Sequence, residues 1–169
     1  ADPTVPDQVL DGRSRVDGIA ASLIGKITPA WSITANYTYL EPKLLQSVAD
    51  GLPDPAANAV LINTPNHSGS LFTTYTLPFG LSVGYGVTYQ GDFALNLPTA
   101  ASTVVNRSGD YWLHNAYLAL TVNDRWSAQL NVKNFTDATY FTGIRNNGTS
   151  GWAVPGQARA AVLTLTARY

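Results

Sequence analysis

From Ala161 to Tyr169 the chain puts apolar side chains at every second position and finishes on an aromatic ring. Neighbouring side chains on a β-strand point to opposite faces, so Ala161, Leu163, Leu165, Ala167 and Tyr169 share one face and Thr164, Thr166 and Arg168 the other. An apolar face toward lipid and a polar face toward a lumen is the two-residue repeat of a transmembrane β-barrel. A strand of this kind is expected as the last of such a barrel.

The alternation recurs upstream. Trp31, Ile33, Ala35, Tyr37 and Tyr39 alternate with Ser32, Thr34, Asn36 and Thr38. Leu81, Val83, Tyr85, Val87 and Tyr89 alternate with Ser82, Gly84, Gly86, Thr88 and Gln90, and Trp126, Ala128, Leu130 and Val132 with Ser127, Gln129, Asn131 and Lys133. Each run covers about nine residues, the length a tilted strand needs to cross a bilayer. Weaker versions lie at 19–27, 70–77 and 112–122, which makes about seven strands in all. A soluble β-sandwich also alternates. Its water-facing side carries Lys and Glu, whereas only 12% of this chain is charged and the polar strand faces hold Ser, Thr, Asn, Gln and Gly. Such groups suit a hydrated or plugged interior, so the chain reads as all-β, an antiparallel transmembrane β-barrel.

Net charge is −1 with no basic patch, which argues against nucleic acid as a partner. No apolar run reaches the length of a transmembrane helix, and no signal peptide precedes Ala1, as expected of a mature or trimmed chain. Zero cysteines remove disulfides and thiolate metal sites. With only His67 and His114 and no paired carboxylates, neither a metal centre nor a cofactor is expected. Asn66-His67-Ser68 invites a hydrolase reading, but adjacent strand residues face opposite ways and His67 cannot activate Ser68. No catalytic residues are assigned.

Short and long connections alternate. Thr28-Pro29-Ala30, Pro78-Phe79-Gly80 and Asn123-Asp124-Arg125 are tight turns. Glu41 to Asn66, Asn96 to Asp110 and Gly143 to Gln157 are long segments. Bacterial barrels keep short turns periplasmic and long loops outside. That orientation puts Trp31, Phe79, Trp126 and Tyr169 in a periplasmic aromatic girdle and Tyr39, Tyr89, Phe93, Phe135 and Tyr140 near the outer interface. It also places the C-terminus in the periplasm and the first strand's start at the cell surface. Single-chain barrels have even strand numbers, and open edges would leave backbone groups unsatisfied in lipid at several kcal/mol each by rough estimate. Residues 1–169 are therefore expected to be the C-terminal part of a larger barrel.

A family resemblance adds to this reading. Leu130-Asn131-Val132-Lys133-Asn134-Phe135-Thr136-Asp137-Ala138-Thr139-Tyr140, then Pro155-Gly156-Gln157-Ala158-Arg159, then the final strand, resembles the C-terminus of TonB-dependent siderophore receptors. Their usual pattern there is L-N-V-x-N-L-x-D-x-x-Y followed by P-G-x-P-R. Asn63-Thr64-Pro65-Asn66-His67 is similar to the N-T-P-x-H segment that leads into a strand of the same receptors, and Trp31 to Tyr39 resembles another of their strands. The chain departs from the pattern at Phe135, where Leu is usual, and at Ala158, where Pro is usual. Ala20 stands where the inward face often carries Glu, which removes a lumen or plug contact. Independently of the family, Asn134 and Asp137 can bond their own backbone and bend the chain as it leaves the membrane, a structural role.

The resemblance implies uptake of a ferric siderophore, with a catecholate type the nearest in style, through a 22-stranded barrel in the outer membrane of a Gram-negative bacterium. It implies as partners the remaining barrel strands, an N-terminal plug, the TonB complex acting through that plug, and outer-membrane lipid and lipopolysaccharide. Neither plug domain nor TonB box is found in these residues. A passive porin or small structural outer-membrane barrel is the alternative. Anionic, aromatic iron chelates are bound by Arg and aromatic side chains through charged hydrogen bonds and stacking. Arg107, Tyr111, Arg145 and Trp152 are the outer-loop candidates, with Arg145 and Trp152 first because they share one loop near the mouth.

Overall fold

The computed structural model describes residues 12–47, 53–146 and 150–168. They form nine antiparallel strands: β1 (Arg13–Thr28), β2 (Trp31–Gln46), β3 (His67–Thr76), β4 (Leu81–Gln90), β5 (Tyr111–Thr121), β6 (Trp126–Lys133), β7 (Phe141–Asn146), β8 (Gly151–Pro155) and β9 (Ala160–Ala167). Seven of them make one sheet in the order β1-β2-β3-β4-β5-β6-β9, and β7 and β8 pair separately.

Register turns the sequence alternation into two chemically distinct faces. Trp31 stands opposite Tyr75, and the row continues through Val83, Leu118 and Leu130 to Leu163. The neighbouring row runs from Ser32 through Thr74, Gly84, Tyr117 and Asn131 to Val162. Small polar groups on this second face bond across strands, Asn36 Nδ2 donating to Ser70 Oγ at 2.8 Å and Ser32 Oγ meeting Thr74 Oγ1 at 2.5 Å. The apolar face is bare: Ile19 is 71% exposed and Leu165 68%. Among the described residues the buried apolar side chains are Ala56, Phe93 and Ala94 in the connections and Pro42 in the upper part of β2. This is not the packing of a sandwich, since among the described residues no second sheet covers the apolar face. Its solvent is lipid, with about 25 cal/mol gained per Å² of apolar surface taken from water.

The turns fall where expected. Gly80 adopts φ +81°, which an L side chain strains to reach, and its carbonyl accepts from Thr121 N. Asn123 Oδ1 accepts from both Arg125 N and Trp126 N at 2.9 Å, closing the β5–β6 turn. The 47–66, 91–110 and 134–159 connections gather at the opposite end. Both β1 and β9 run from that end toward the short turns, and among the described residues each has one neighbour, β2 and β6. Two edges pointing the same way cannot pair antiparallel, so the sheet stays open.

Three expectations need correction. First, β1 and β2 extend to Arg13 and Gln46, well past the apolar stretch. In that upper part Arg15 pairs with Asp17 at 2.7 Å along β1 and Lys43 with Glu41 at 2.8 Å along β2, while Arg13 Nε donates to Gln46 Oε1 at 2.9 Å across the hairpin, and such polar residues carry no hydropathic signal. Second, 143–157 is no plain loop, since it falls largely within the β7–β8 hairpin, whose strands are too short for periodicity to reveal. Third, Phe93 and Tyr140 are not interface aromatics. Phe93 is 7% exposed inside the 91–110 connection, and Tyr140 stacks on Tyr111 at 4.8 Å. Trp112, on the apolar face against Tyr89 at 4.4 Å, takes such a place instead. Tyr169 lies outside the described residues.

Candidate ligand-binding cavity at the loop end

Side-chain amides with otherwise rare backbone conformations anchor the long connections. Asn63 takes φ 56° and its N–H donates to Ala94 O at 2.9 Å, while Asn66 Nδ2 donates to Leu40 O at 2.8 Å. The Asn-Thr-Pro-Asn-His segment thus turns the chain into β3 and ties it to β2. Ala94 bridges Ile62 on one side and Arg107 on the other, joining the 47–66 and 91–110 connections. Within the second, Ser108 Oγ accepts from Phe93 N at 2.9 Å, and Asn96 Nδ2 donates to Val104 O at 2.9 Å. The connection is a folded lobe.

The third connection is closed by Asn134. At φ 47° and 3% exposure, it sits in a left-handed turn that asparagine tolerates better than most residues. Its amide donates to Ala138 O at 2.9 Å and Gln157 O at 3.1 Å, and its Oδ1 accepts from Ala138 N at 2.9 Å. Asn115 Oδ1 accepts from its backbone N–H at 3.0 Å. Asp137, at φ 57°, accepts from Arg159 N at 3.2 Å. The Tyr140 ring lies on Gly156, where a Cβ would come within 2.1 Å of it. The Asn, Asp and Tyr of the first motif and the Gly and Arg of the second therefore clasp the two ends of one loop.

Between the 91–110 lobe and the β7–β8 hairpin lies an open cavity of about 1100 Å³. Leu95, Leu97, Val104, Ile144 and Trp152 give it apolar walls, Asn63 and Asn106 add polar groups, and Arg145 is its one charged lining residue among those described. Arg145 and Trp152 are directly opposite each other across β7 and β8. Arg145 makes no hydrogen bond or ion pair among the described residues, so its guanidinium is available, and Trp152 is 56% exposed. A cation beside a bare indole can take an anionic aromatic guest by charged hydrogen bonds and stacking.

The other two sequence candidates lie apart from this cavity. Arg107 is ion-paired with Asp92. Tyr111 Oη donates to Gln90 Oε1 at 2.9 Å. Gln90 does line the cavity, so Tyr111 acts on it at one remove. Leu95, Leu97, Val104, Ile144 and the amides were invisible to sequence reasoning because distant segments bring them together. Ser68 stands opposite Thr38 and Gln90 on the polar face while His67 bonds Tyr37 on the apolar one, so the two cannot cooperate in hydrolysis.

Residues 1–135 match the family model for the TonB dependent receptor-like β-barrel. The chain is 33% identical to the probable TonB-dependent receptor BfrD of Bordetella pertussis, covering 94% of this chain and 21% of that protein. It is 32% identical to the catecholate siderophore receptor Fiu of Escherichia coli K12, covering 94% and 20%. The solved siderophore receptor PiuA from Acinetobacter baumannii superposes with a TM-score of 0.77 at 32% identity, over 94% of this chain and 22% of that one. The chain thus spans about a fifth of the length of the curated relatives it matches. Its strand order, its two-faced sheet and these likenesses agree: the chain belongs to the TonB-dependent receptor β-barrel family.

Proposed function

We propose that residues 1–169 form the C-terminal wall of a receptor barrel that takes up a ferric siderophore, with catecholate chelates the favoured class. TonB-dependent receptor barrels are outer-membrane proteins of Gram-negative bacteria. In this reading the short turns and C-terminus are periplasmic, the long connections face outside, and plug, further strands and TonB coupling belong to the rest of the receptor. The carrying observation is the loop-end cavity with Arg145 and Trp152 side by side across one hairpin. Support for the ligand class comes from Fiu, a catecholate siderophore receptor at 32% identity. Arg145 supplies the charge and Trp152 the stacking surface; Arg107 and Tyr111 brace the mouth through Asp92 and Gln90.

The test is binding of an iron-loaded catecholate to the intact receptor and to its Arg145→Ala, Trp152→Ala form. Loss of a charged hydrogen bond costs about 1.5–3 kcal/mol, so affinity should fall about tenfold or more while folding is kept. Equal affinities would remove this hairpin from the site.

A further inference from the structure

A second hollow lies on the polar face of the main sheet. Phe72 stands opposite Gly86 and Gly86 opposite Asn115; the next row down holds Gly84, Tyr117 and Asn131, with Lys133 two residues above Asn131 on the same face. Two glycines leave the room. A Cβ on Gly86 would come within 3.2 Å of the Phe72 ring, and one on Gly84 within 3.1 Å of the Tyr117 ring, so both rings lean over bare backbone. Phe72, Asn115, Tyr117, Asn131 and Lys133 line a cup of about 240 Å³. Along β4, Gly86 is four residues below Gln90, which lines the loop-end cavity, a separation of roughly 13 Å.

The cup offers donors, and a contact fixes the direction of one of them. Asn115 Oδ1 accepts from Asn134 N at 3.0 Å. A backbone N–H can only donate, so the amide oxygen is held on that side and Nδ2 is the end left for the cup, 3.9 Å from where a Cβ on Gly86 would stand. Lys133 can only donate, and it is the cup's one charged lining residue. Among the described residues Asn115 Nδ2, the Asn131 amide and the Lys133 ammonium have no hydrogen-bond or ion-pair partner. One positive charge and the donors of two amides therefore share a small hollow with two aromatic rings, the make-up of a site for a small anion that carries a ring.

We infer that this cup binds a free single-ring aromatic acid. Lys133 and Asn115 Nδ2 hold the carboxylate, Asn131 adds a further donor, and the ring lies against Phe72 and Tyr117. Size sets the class: pockets for drug-sized ligands run from about 300 to 1,000 Å³, so a hollow of about 240 Å³ takes one ring with its carboxylate and is too small for a whole iron chelate. The site goes beyond the siderophore reading and does not depend on it, because an iron-free acid tests it.

The full-length receptor in detergent, carrying Arg145→Ala and Trp152→Ala so that the loop-end cavity does not compete, is titrated with salicylate and with phenol, and affinities are read by saturation-transfer NMR. Adding Lys133→Gln to this background should weaken salicylate about tenfold, and adding Asn131→Ala about threefold, while phenol, which has no carboxylate, is unaffected by Lys133→Gln. Lys133→Arg keeps the charge and should recover most of the loss. No salicylate binding in the background, or equal affinity across the variants, overturns the site. Equal losses for salicylate and phenol do so too, since they mean apolar packing alone. So does a thermal midpoint lowered by about 3 °C or more in ligand-free Lys133→Gln, which means that the receptor's own chain already occupies the ammonium. Chelate binding is read on the unsubstituted receptor, so failure of the siderophore reading leaves this result standing.

Discussion

Replacing Asn134 by alanine removes three side-chain hydrogen bonds at a position that is 3% exposed, and it puts a residue with a Cβ but no polar group at φ 47°. A net hydrogen bond is worth about 1 kcal/mol, and groups left unpaired in a buried place cost more. The left-handed backbone adds about 1 kcal/mol for alanine. The sum is about 4 kcal/mol, or roughly a thousandfold in the population of an open loop. The damage should be local, because the bonds join Ala138 and Gln157 rather than the strands of the main sheet. Hydrogen exchange on the full receptor reads this directly: peptides spanning 135–159 should exchange far faster while those from β3 and β4 hold their protection. Asn134→Gly loses the same bonds without the steric conflict and should be milder by about 1 kcal/mol. Exchange of 135–159 within about threefold of wild type, less than 1 kcal/mol, would refute the clasp.

Two further outcomes follow from the faces and the turns. Leu163→Arg, on the apolar row that crosses the sheet from Trp31, should destabilise the receptor by about 2–4 kcal/mol, and urea unfolding in lipid vesicles measures it; Thr164→Arg on the polar face should cost far less. A single cysteine at Ser102 should be labelled by an impermeant maleimide on intact cells of a cysteine-free receptor, and one at Asp124 only after the outer membrane is opened; the reverse pattern would invert the proposed orientation.

The sheet was legible where alternation coincided with bilayer length. Trp31–Tyr39, Leu81–Gln90 and Trp126–Lys133 sit inside β2, β4 and β6, and the tight turns were marked by Pro29, Gly80 and Asn123. Alternation reports the difference between two environments, so it falls silent where both faces meet water. The upper part of the β1–β2 hairpin, where Arg15–Asp17 and Lys43–Glu41 pair each along its own strand, and the short β7 and β8 therefore carry no periodic signal. Asn134 and Asp137 were readable as backbone-bonding residues, but their partners Gln157 and Arg159 lie across the hairpin. Of the candidate site, Arg145 and Trp152 could be named from chemistry and shared loop alone. Their opposition in register, the apolar wall from Leu95 and Leu97, and the pairing of Arg107 with Asp92 depend on how separate connections fold together. The cup on the polar face has no local signature, since its lining residues come from β3, β5 and β6.

The most direct test of the account is the position of the metal in the complete receptor loaded with an iron catecholate, located by the anomalous scattering of iron in its crystals. The account predicts iron in the loop-end cavity, with the chelate stacked on Trp152 and hydrogen-bonded to Arg145. A chelate bound with full occupancy elsewhere, touching neither the β7–β8 hairpin nor the 91–110 lobe, would contradict it.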